Sequence, residues 1–295
     1  MVVHRQQVAG GATVAMALAA AAAMLNSADA VIVRLVSLEM HPFAVGFYRS
    51  AFGLLAVLPW IVSRNALAGS SYRWLHALRA GIKLLSLVAF YAAFAAADLA
   101  DATAIMFTAP LFLTLGAWFV LGERLDGLRL AAIAAGFVGA LIIIRPGAEP
   151  SPALVFALAG AALIAVAQLM LKAMSHRDAT ETLVAWNLVV TVPLALIPTL
   201  LVWTPPSPGT LALLALQGVL GAGNMAMMTY AFGLVDASLI APMDFLRLPM
   251  VAVLAFMFFG EVPSMTTWIG AGVIVAGALA VTFGGRALKS ARVRT

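Results

Sequence analysis

Asp244 and Arg247 stand three residues apart in an otherwise apolar run, with Pro242 and Pro249 on either side. In a helix that spacing puts both side chains on one face. The pair could offer a cation to an anionic group of a solute, the carboxylate holding the guanidinium in register. It could equally be a self-neutralising pair that packs one helix against another. Each proline removes an amide donor and frees the carbonyl four residues earlier, so the segment is a place where a helix could open towards a ligand. Pro110 lies in a comparable setting earlier in the chain.

Three more charges sit inside apolar runs. Asp29, close to Asn26 and Ser27, is either a carboxylate that loads and releases a proton or a fixed counter-ion for Arg49 or Lys83. Arg49 lies about seven residues into its run, roughly 10 Å deep at 1.5 Å per residue, and suits gating, structure or solute contact. Lys83 begins a stripe with Ser86 and Phe90, and Tyr91 follows. That stripe either faces a ligand or belongs to a lysine that reaches back to an interface. Gln168, Asn187, Gln217, Asn224 and Tyr230 could line a cavity or join helices. Gly221 and Gly223 thin the helix before Asn224.

The substrate-contact candidates are therefore Arg247, Asp244, Asn224, Tyr91, Lys83, Gln168 and Tyr230, and the coupling or gating candidates are Asp29, Arg49, Asn187, Pro110 and Pro249. Two carboxylates against three cations leave one positive charge in excess, which favours an anionic or zwitterionic solute. No catalytic residue, metal or cofactor is expected.

The elements that must hold these residues follow from composition. Of 295 residues, 64% are hydrophobic and 10% charged, whereas soluble domains carry about 25% charged residues. Ten apolar runs, 12–35, 42–63, 74–97, 100–121, 127–145, 152–174, 182–203, 210–232, 237–260 and 265–284, approach the ~20 residues a bilayer requires. Helices are the expected solution, because lipid offers no partner to backbone amides. The fold class expected is an all-α integral membrane protein with ten transmembrane helices. Ala28-Asp29-Ala30 after an alanine-rich run imitates a signal-peptide cleavage site, but the run is longer than a signal core of ~7–15 residues and reads as a first helix. The net charge of +5 does not imply nucleic acid, since the basic residues lie between runs and at the ends. With the N-terminus inside, twelve Lys and Arg fall on the cytoplasmic side, Arg79 among them, and only Arg145 falls outside. Both ends are then cytoplasmic.

The chain also repeats itself at a spacing of 138 residues: Arg34 maps to Lys172, Phe94 to Phe232, Asp98 to Asp236, Gly122 to Gly260, Glu123 to Glu261 and Gly139 to Gly277. Each copy, 1–147 and 148–295, carries five runs. An odd number of crossings inverts the second copy, and inverted repeats point to alternating access around a midplane site. Glu123 and Glu261 are expected at opposite faces of the membrane, as end-charges or gate contacts.

Ala100-Asp-Ala-Thr-Ala-Ile-Met-Phe-Thr-Ala-Pro110 with Leu121-Gly122-Glu123-Arg124, its counterpart Ala241-Pro242 through Phe259-Gly260-Glu261, and His41-Pro42 with Tyr48-Arg49 resemble the EamA-type transporters of the drug/metabolite transporter superfamily. The resemblance implies an inverted-repeat bundle of ten helices around a central cavity, with spans five and ten to the side. It implies secondary transport of a small metabolite across the inner membrane. The expected reading is an exporter of an amino-acid-like or other anionic or zwitterionic solute. The alternative is an importer of a vitamin or nucleotide-like metabolite, riboflavin-like or S-adenosylmethionine-like. Membrane lipid and the small-molecule substrate are the expected partners, with a proton as candidate coupling ion and a monomer or weak homodimer as the assembly. The second copy departs from the first: Asn187 stands where Arg49 would fall and Leu248 where Pro110 would, with Pro249 one place on.

A membrane enzyme would need titratable groups gathered at one depth. His4, His41, His76 and His176 lie at loops or run ends with no carboxylate at ligand spacing. A channel would need a filter loop or polar ring, and none is visible.

Overall fold

The computed structural model describes residues 2–64, 67, 70, 73–121, 127–144, 151–174, 178, 180–234 and 243–292. Among these, regular structure is entirely helical: α1 (Val2–Val36), α2 (Pro42–Ser63), α3 (Arg73–Ala96), α4 (Leu99–Met106), α5 (Ala109–Leu121), α6 (Gly127–Ile144), α7 (Pro152–Met174), α8 (Thr180–Leu201), α9 (Pro208–Leu234), α10 (Arg247–Phe259) and α11 (Met265–Arg292). By length and composition six segments can cross a membrane: 13–36, 42–63, 73–96, 99–120, 152–171 and 182–201. Shorter apolar helices run over Leu130–Ile144, Arg247–Phe259 and Met265–Ala280.

The starts and stops have local causes. His41 caps α2, its Nδ1 accepting from the Phe43 amide at 3.3 Å, and Pro42 opens the first turn, where its missing donor costs nothing. Gly260 ends α10 in the left-handed region at φ 69°, a conformation that suits glycine. Between α4 and α5 the chain makes a turn at Phe107 and Thr108, with the Phe107 and Thr108 amides donating to the Ala104 and Ile105 carbonyls at 3.1 and 2.9 Å. The same kind of turn recurs at Phe245 and Leu246, where the Leu246 amide donates to Met243 at 3.1 Å.

These turns are 138 residues apart, and the helices obey the same shift. Pro42–Ser63 falls on Thr180–Leu201 and Ala109–Leu121 on Arg247–Phe259, end for end. Packing repeats it too. A Cβ on Gly139 would lie 2.7 Å from the Gly270 carbonyl, and one on Gly277 would lie 2.7 Å from the Ala132 carbonyl. Each of these contacts becomes the other when 138 is added to one partner and subtracted from the other. As the number rises along α6 it falls along α11, so the two helices pack antiparallel, backbone against backbone. Small residues make this approach possible where lipid supplies no hydrophobic drive between helices.

The bundle is apolar inside and out. Val33, Tyr91, Phe94, Leu99, Ile105 and Ile274 form its centre, while Phe119, Val120, Leu201 and Met257 point outwards. An apolar exterior of this kind suits lipid as solvent. At one end Arg34 ties four helices together. Its Nη1 donates to the Phe94 carbonyl at 3.1 Å and to the Ala97 carbonyl, and its Nη2 lies 3.0 Å from Glu261 Oε1. Glu261 Oε2 in turn accepts from the Leu99 amide at 2.9 Å, capping α4. The Arg34–Glu261 contact is electrostatic; the directed hydrogen bond of Glu261 goes to Leu99. Burial pushes the Glu261 carboxyl up, opposed by the Leu99 amide and Arg34.

Candidate functional site

α1, α2, α3, α7, α8 and α9 surround a cavity of about 500 Å³ that also touches Met106 and Arg247. Its lining follows the repeat: Asn26 and Ile164, Arg49 and Asn187, Gly53 and Thr191, Lys83 and Gly221, Ser86 and Asn224 all face it, each pair 138 residues apart. The shape is thus shared between the copies while the charge is not. The first copy supplies Asp29, Arg49 and Lys83, and the second answers Arg49 with Asn187 and Lys83 with Gly221.

The absence of a side chain at Gly221 has a use. A Cβ there would lie 3.1 Å from Arg49 Nη2 and 3.3 Å from its Cζ, so glycine leaves room for the guanidinium. Arg49 Nε donates to Asp29 Oδ1 at 3.4 Å. Lys83 is exposed, and the surface it faces is the cavity. Tyr91 is 1% exposed, its hydroxyl accepting from Gln217 Nε2 at 3.1 Å. Asn26 Nδ2 donates to Asn224 Oδ1 at 3.4 Å, joining α1 to α9 across the cavity. Gln168 completes the amide set.

Arg247 reaches the cavity from the first turn of α10. Its carbonyl accepts from Ser27 Oγ at 3.3 Å, which anchors that turn to α1. Its Nη2 lies 3.9 Å from Met106 Sδ, and its Nε is buried without a hydrogen-bond partner. Among the described residues, Arg247 and Lys83 face the cavity with no carboxylate within ion-pair distance.

The structure corrects several expectations. Asp244 is separated from Arg247 by the turn at Phe245 and Leu246, and its carboxylate still acts on the guanidinium. It is exposed, lies outside the cavity lining and makes no ion pair with Arg247. Pro110 and Pro249 are set back from the lining, at the second and third residues of α5 and α10, so they follow the turns and do not contact the cavity. Arg79, counted with the cytoplasmic-side charges, lies within α3. It is 5% exposed and donates to the Leu183 carbonyl of α8. His76, read as a lone residue at a run end, pairs with Asp178 at 2.8 Å. Those residues are 102 apart in sequence, and no local spacing announces the pair. The Tyr230 side chain, Pro242, Glu123, Asp236 and the Lys172 side chain lie outside the described residues.

Comparison with known proteins agrees with this layout. A riboflavin transporter of Rhizobium johnstonii is 34% identical over 80% of this chain and 79% of its own. A riboflavin transporter of Vibrio cholerae is 30% identical over 81% and 82%. An S-adenosylmethionine uptake transporter of Rickettsia prowazekii is 26% identical over 88% of each. A solved crystal structure, described only as that of a protein, matches the fold with a TM-score of 0.63 at 20% identity, covering 92% of this chain and 98% of its own. The profile of the EamA-like transporter family matches residues 13–145 and again 151–283, both limits advancing by the 138 residues that separate the paired cavity positions. The chain is a multi-pass membrane protein and belongs to the EamA-like transporter family.

Proposed function

We propose that the protein is a secondary transporter that takes up a vitamin-sized metabolite, riboflavin-like, by alternating access between two inverted five-helix repeats, 1–147 and 148–295. The observation that carries this reading is the cavity: it is shaped by paired positions of both copies and holds Arg247 and Lys83 without carboxylate partners. Its ten crossings, with both termini cytoplasmic in the inner membrane, follow the charge distribution of the sequence.

Import replaces the expected export because the relatives are named riboflavin transporters and S-adenosylmethionine uptake transporters. Charge separates those two cargoes. Asp29 and Arg49 neutralise each other, and Asp244 acts on Arg247 from outside the lining without an ion pair, which leaves the Arg247 and Lys83 cations to face the cargo. A sulfonium cargo would meet repulsion in a low-dielectric site. A flavin brings carbonyl and ring-nitrogen acceptors for the two cations and hydroxyls for Asn26, Asn224, Asn187 and Gln168. The amide groups donate as well as accept, which suits a polyol chain. An anionic or zwitterionic solute would use the same cations.

Uptake of radiolabelled riboflavin by a riboflavin-auxotrophic bacterium expressing the chain tests the reading. Accumulation that unlabelled riboflavin competes away, and S-adenosylmethionine does not, is expected. Accumulation of S-adenosylmethionine without riboflavin would sink the charge argument, and outward movement of amino acids would sink the import reading.

A further inference from the structure

One buried titratable pair stands apart from the cavity lining. Near the start of α3, His76 Nε2 meets Asp178 Oδ2 at 2.8 Å, with both side chains fully sealed from solvent. Ser70 Oγ donates to the same carboxylate oxygen at 3.1 Å. The indole of Trp186 on α8 stacks on the imidazole, ring centres 5.5 Å apart and 14° from parallel. Arg79, one turn along α3, crosses to the Leu183 carbonyl of α8. The charged groups acting on His76 are Asp178, from the α7–α8 connection, and Arg79, from its own helix. Arg73, at the start of α3, is exposed, and the side chains of Lys172 on α7, His176 and Arg177 in the α7–α8 connection and Glu181 on α8 lie outside the described residues. Among the described side chains, the charges of α1, α2 and α4 are Asp29, Arg34, Arg49 and Asp101, placed in the cavity or at the far end.

Two properties distinguish this cluster from mere packing. His76 Nδ1, Arg79 Nε and Trp186 Nε1 are all buried without hydrogen-bond partners, and buried polar groups are otherwise nearly always satisfied. A buried ion pair is also no better for stability than apolar residues of the same shape. Moreover, the cluster is one step from the cavity on both helices: Arg79 is one turn before Lys83, and Trp186 is next to Asn187, and Lys83 and Asn187 line the cavity.

We propose that His76 and Asp178 form a proton-binding site that couples proton movement to transport, a proposal that rests on the transport reading of the cavity. With Asp178 ionised, His76 Nε2–H donates to the carboxylate and Nδ1 carries the lone pair. A hydronium ion gives up a proton to Nδ1, its O–H bond breaking as the N–H bond forms, which leaves water and takes the pair from a charge of −1 to zero. The new donor needs an acceptor, and the packed arrangement of α3 and α8 supplies none at Nδ1. Loading therefore accompanies separation of α3 from α8, which admits water. Their closure breaks the same N–H bond and returns the proton to water in the cavity.

The stack on Trp186 provides a readout independent of cargo, because an imidazolium quenches a stacked indole more than an imidazole does. The full chain is reconstituted in liposomes, and the Trp186 signal is taken as the difference from Trp186→Phe. A single quenching step on acidification between about pH 8 and 5, the range in which histidine titrates, is expected. His76→Gln should abolish the step and Asp178→Asn, which keeps the hydrogen bond but removes the charge, should displace it. In the same vesicles an acid-outside gradient should raise riboflavin accumulation several-fold in the wild type. His76→Gln and Asp178→Asn should carry riboflavin downhill without responding to the gradient. An unchanged quenching step in His76→Gln, or no step at all in the wild type, overturns the proposal. So does gradient-driven accumulation that survives both substitutions. If the wild type carries no riboflavin, the cargo reading fails and the Trp186 titration alone decides the proton site.

Discussion

Arg247 owes little of its position to contacts that a folded bundle would miss. Ser27 holds its carbonyl, while its guanidinium reaches only Met106 Sδ and leaves Nε unpartnered. Arg247→Gln keeps hydrogen-bonding capacity and removes the charge. It is expected to lower uptake about tenfold or more, the effect of about 1.4 kcal/mol or greater, with folded yield and melting temperature near the wild type. Asp244→Asn removes the carboxylate that acts most on Arg247 and should alter affinity for the solute more than folded yield, since Asp244 is exposed and outside the cavity lining. Loss of folded protein in Arg247→Gln, recovered by adding Asp244→Asn, would instead return the pair to a structural role. The charges in apolar runs were readable because burying a charge is costly enough to mark function, and Asp29, Arg49, Lys83 and Arg247 all line the cavity. The pairing of those charges was less readable. Asp29 with Arg49 is 20 residues apart and within reach of inspection, but His76 with Asp178 and Tyr91 with Gln217 are 102 and 126 apart, and only the folded bundle brings them together.

At the scale of helices, the spans could be read from apolar length and the breaks only in part. Pro110 and Pro249 pointed to the right segments, yet the turns fall a few residues earlier, at Phe107–Thr108 and Phe245–Leu246. A proline disfavours helical backbone in the residue before it and removes a bond to the turn before that, so the disturbance lies upstream of the proline itself. The same displacement leaves Asp244 on the far side of a turn from Arg247, exposed and outside the cavity lining. The glycines of α6 and α11 were visible as a repeat, but not as an interface. Valine at Gly139 or Gly277 would set a Cβ 2.7 Å from a backbone carbonyl, a clash that flexible side chains cannot relieve. Overpacking of this kind costs about 1–3 kcal/mol. Both substitutions should therefore lower the thermal midpoint of the purified protein, and by similar amounts because the contacts are exchanged by the repeat. Gly272→Ala, where a Cβ meets nothing within 4 Å, should leave it unchanged. Unequal effects at Gly139 and Gly277 would break the equivalence of the two halves.

At the scale of the whole molecule, the alternating access proposed above requires an end that can close, and Arg34 with Glu261 joins α1, α3, α4 and α10 at one end. The side chains retain 23% and 13% exposure, so the pair contributes less than a fully buried one; breaking it should shift the open fraction by about 1–2 kcal/mol, between the values for surface and buried pairs. The chain has no cysteine, so a single cysteine at Leu87, in the cavity lining, can be labelled without background by a membrane-impermeant maleimide. Arg34→Gln should speed labelling from the Arg34 end several-fold, and Arg34→Gln with Glu261→Gln should slow it again by replacing an unpaired carboxylate with a neutral amide pair. The pH dependence has a definite sign. Because burial raises the Glu261 carboxyl, the closed end binds a proton more readily than an open one in which Glu261 is hydrated. Closure is therefore favoured most below the ordinary carboxylate range, near about pH 4, and weakens as pH rises through the raised value. Labelling of the Leu87→Cys protein from that end should accelerate as pH rises through that window, and the dependence should vanish with Glu261→Gln. Labelling that quickens on acidification would mean that the Arg34 ion pair outweighs the burial of Glu261, and would reverse its assignment as a group whose ionised form resists closure.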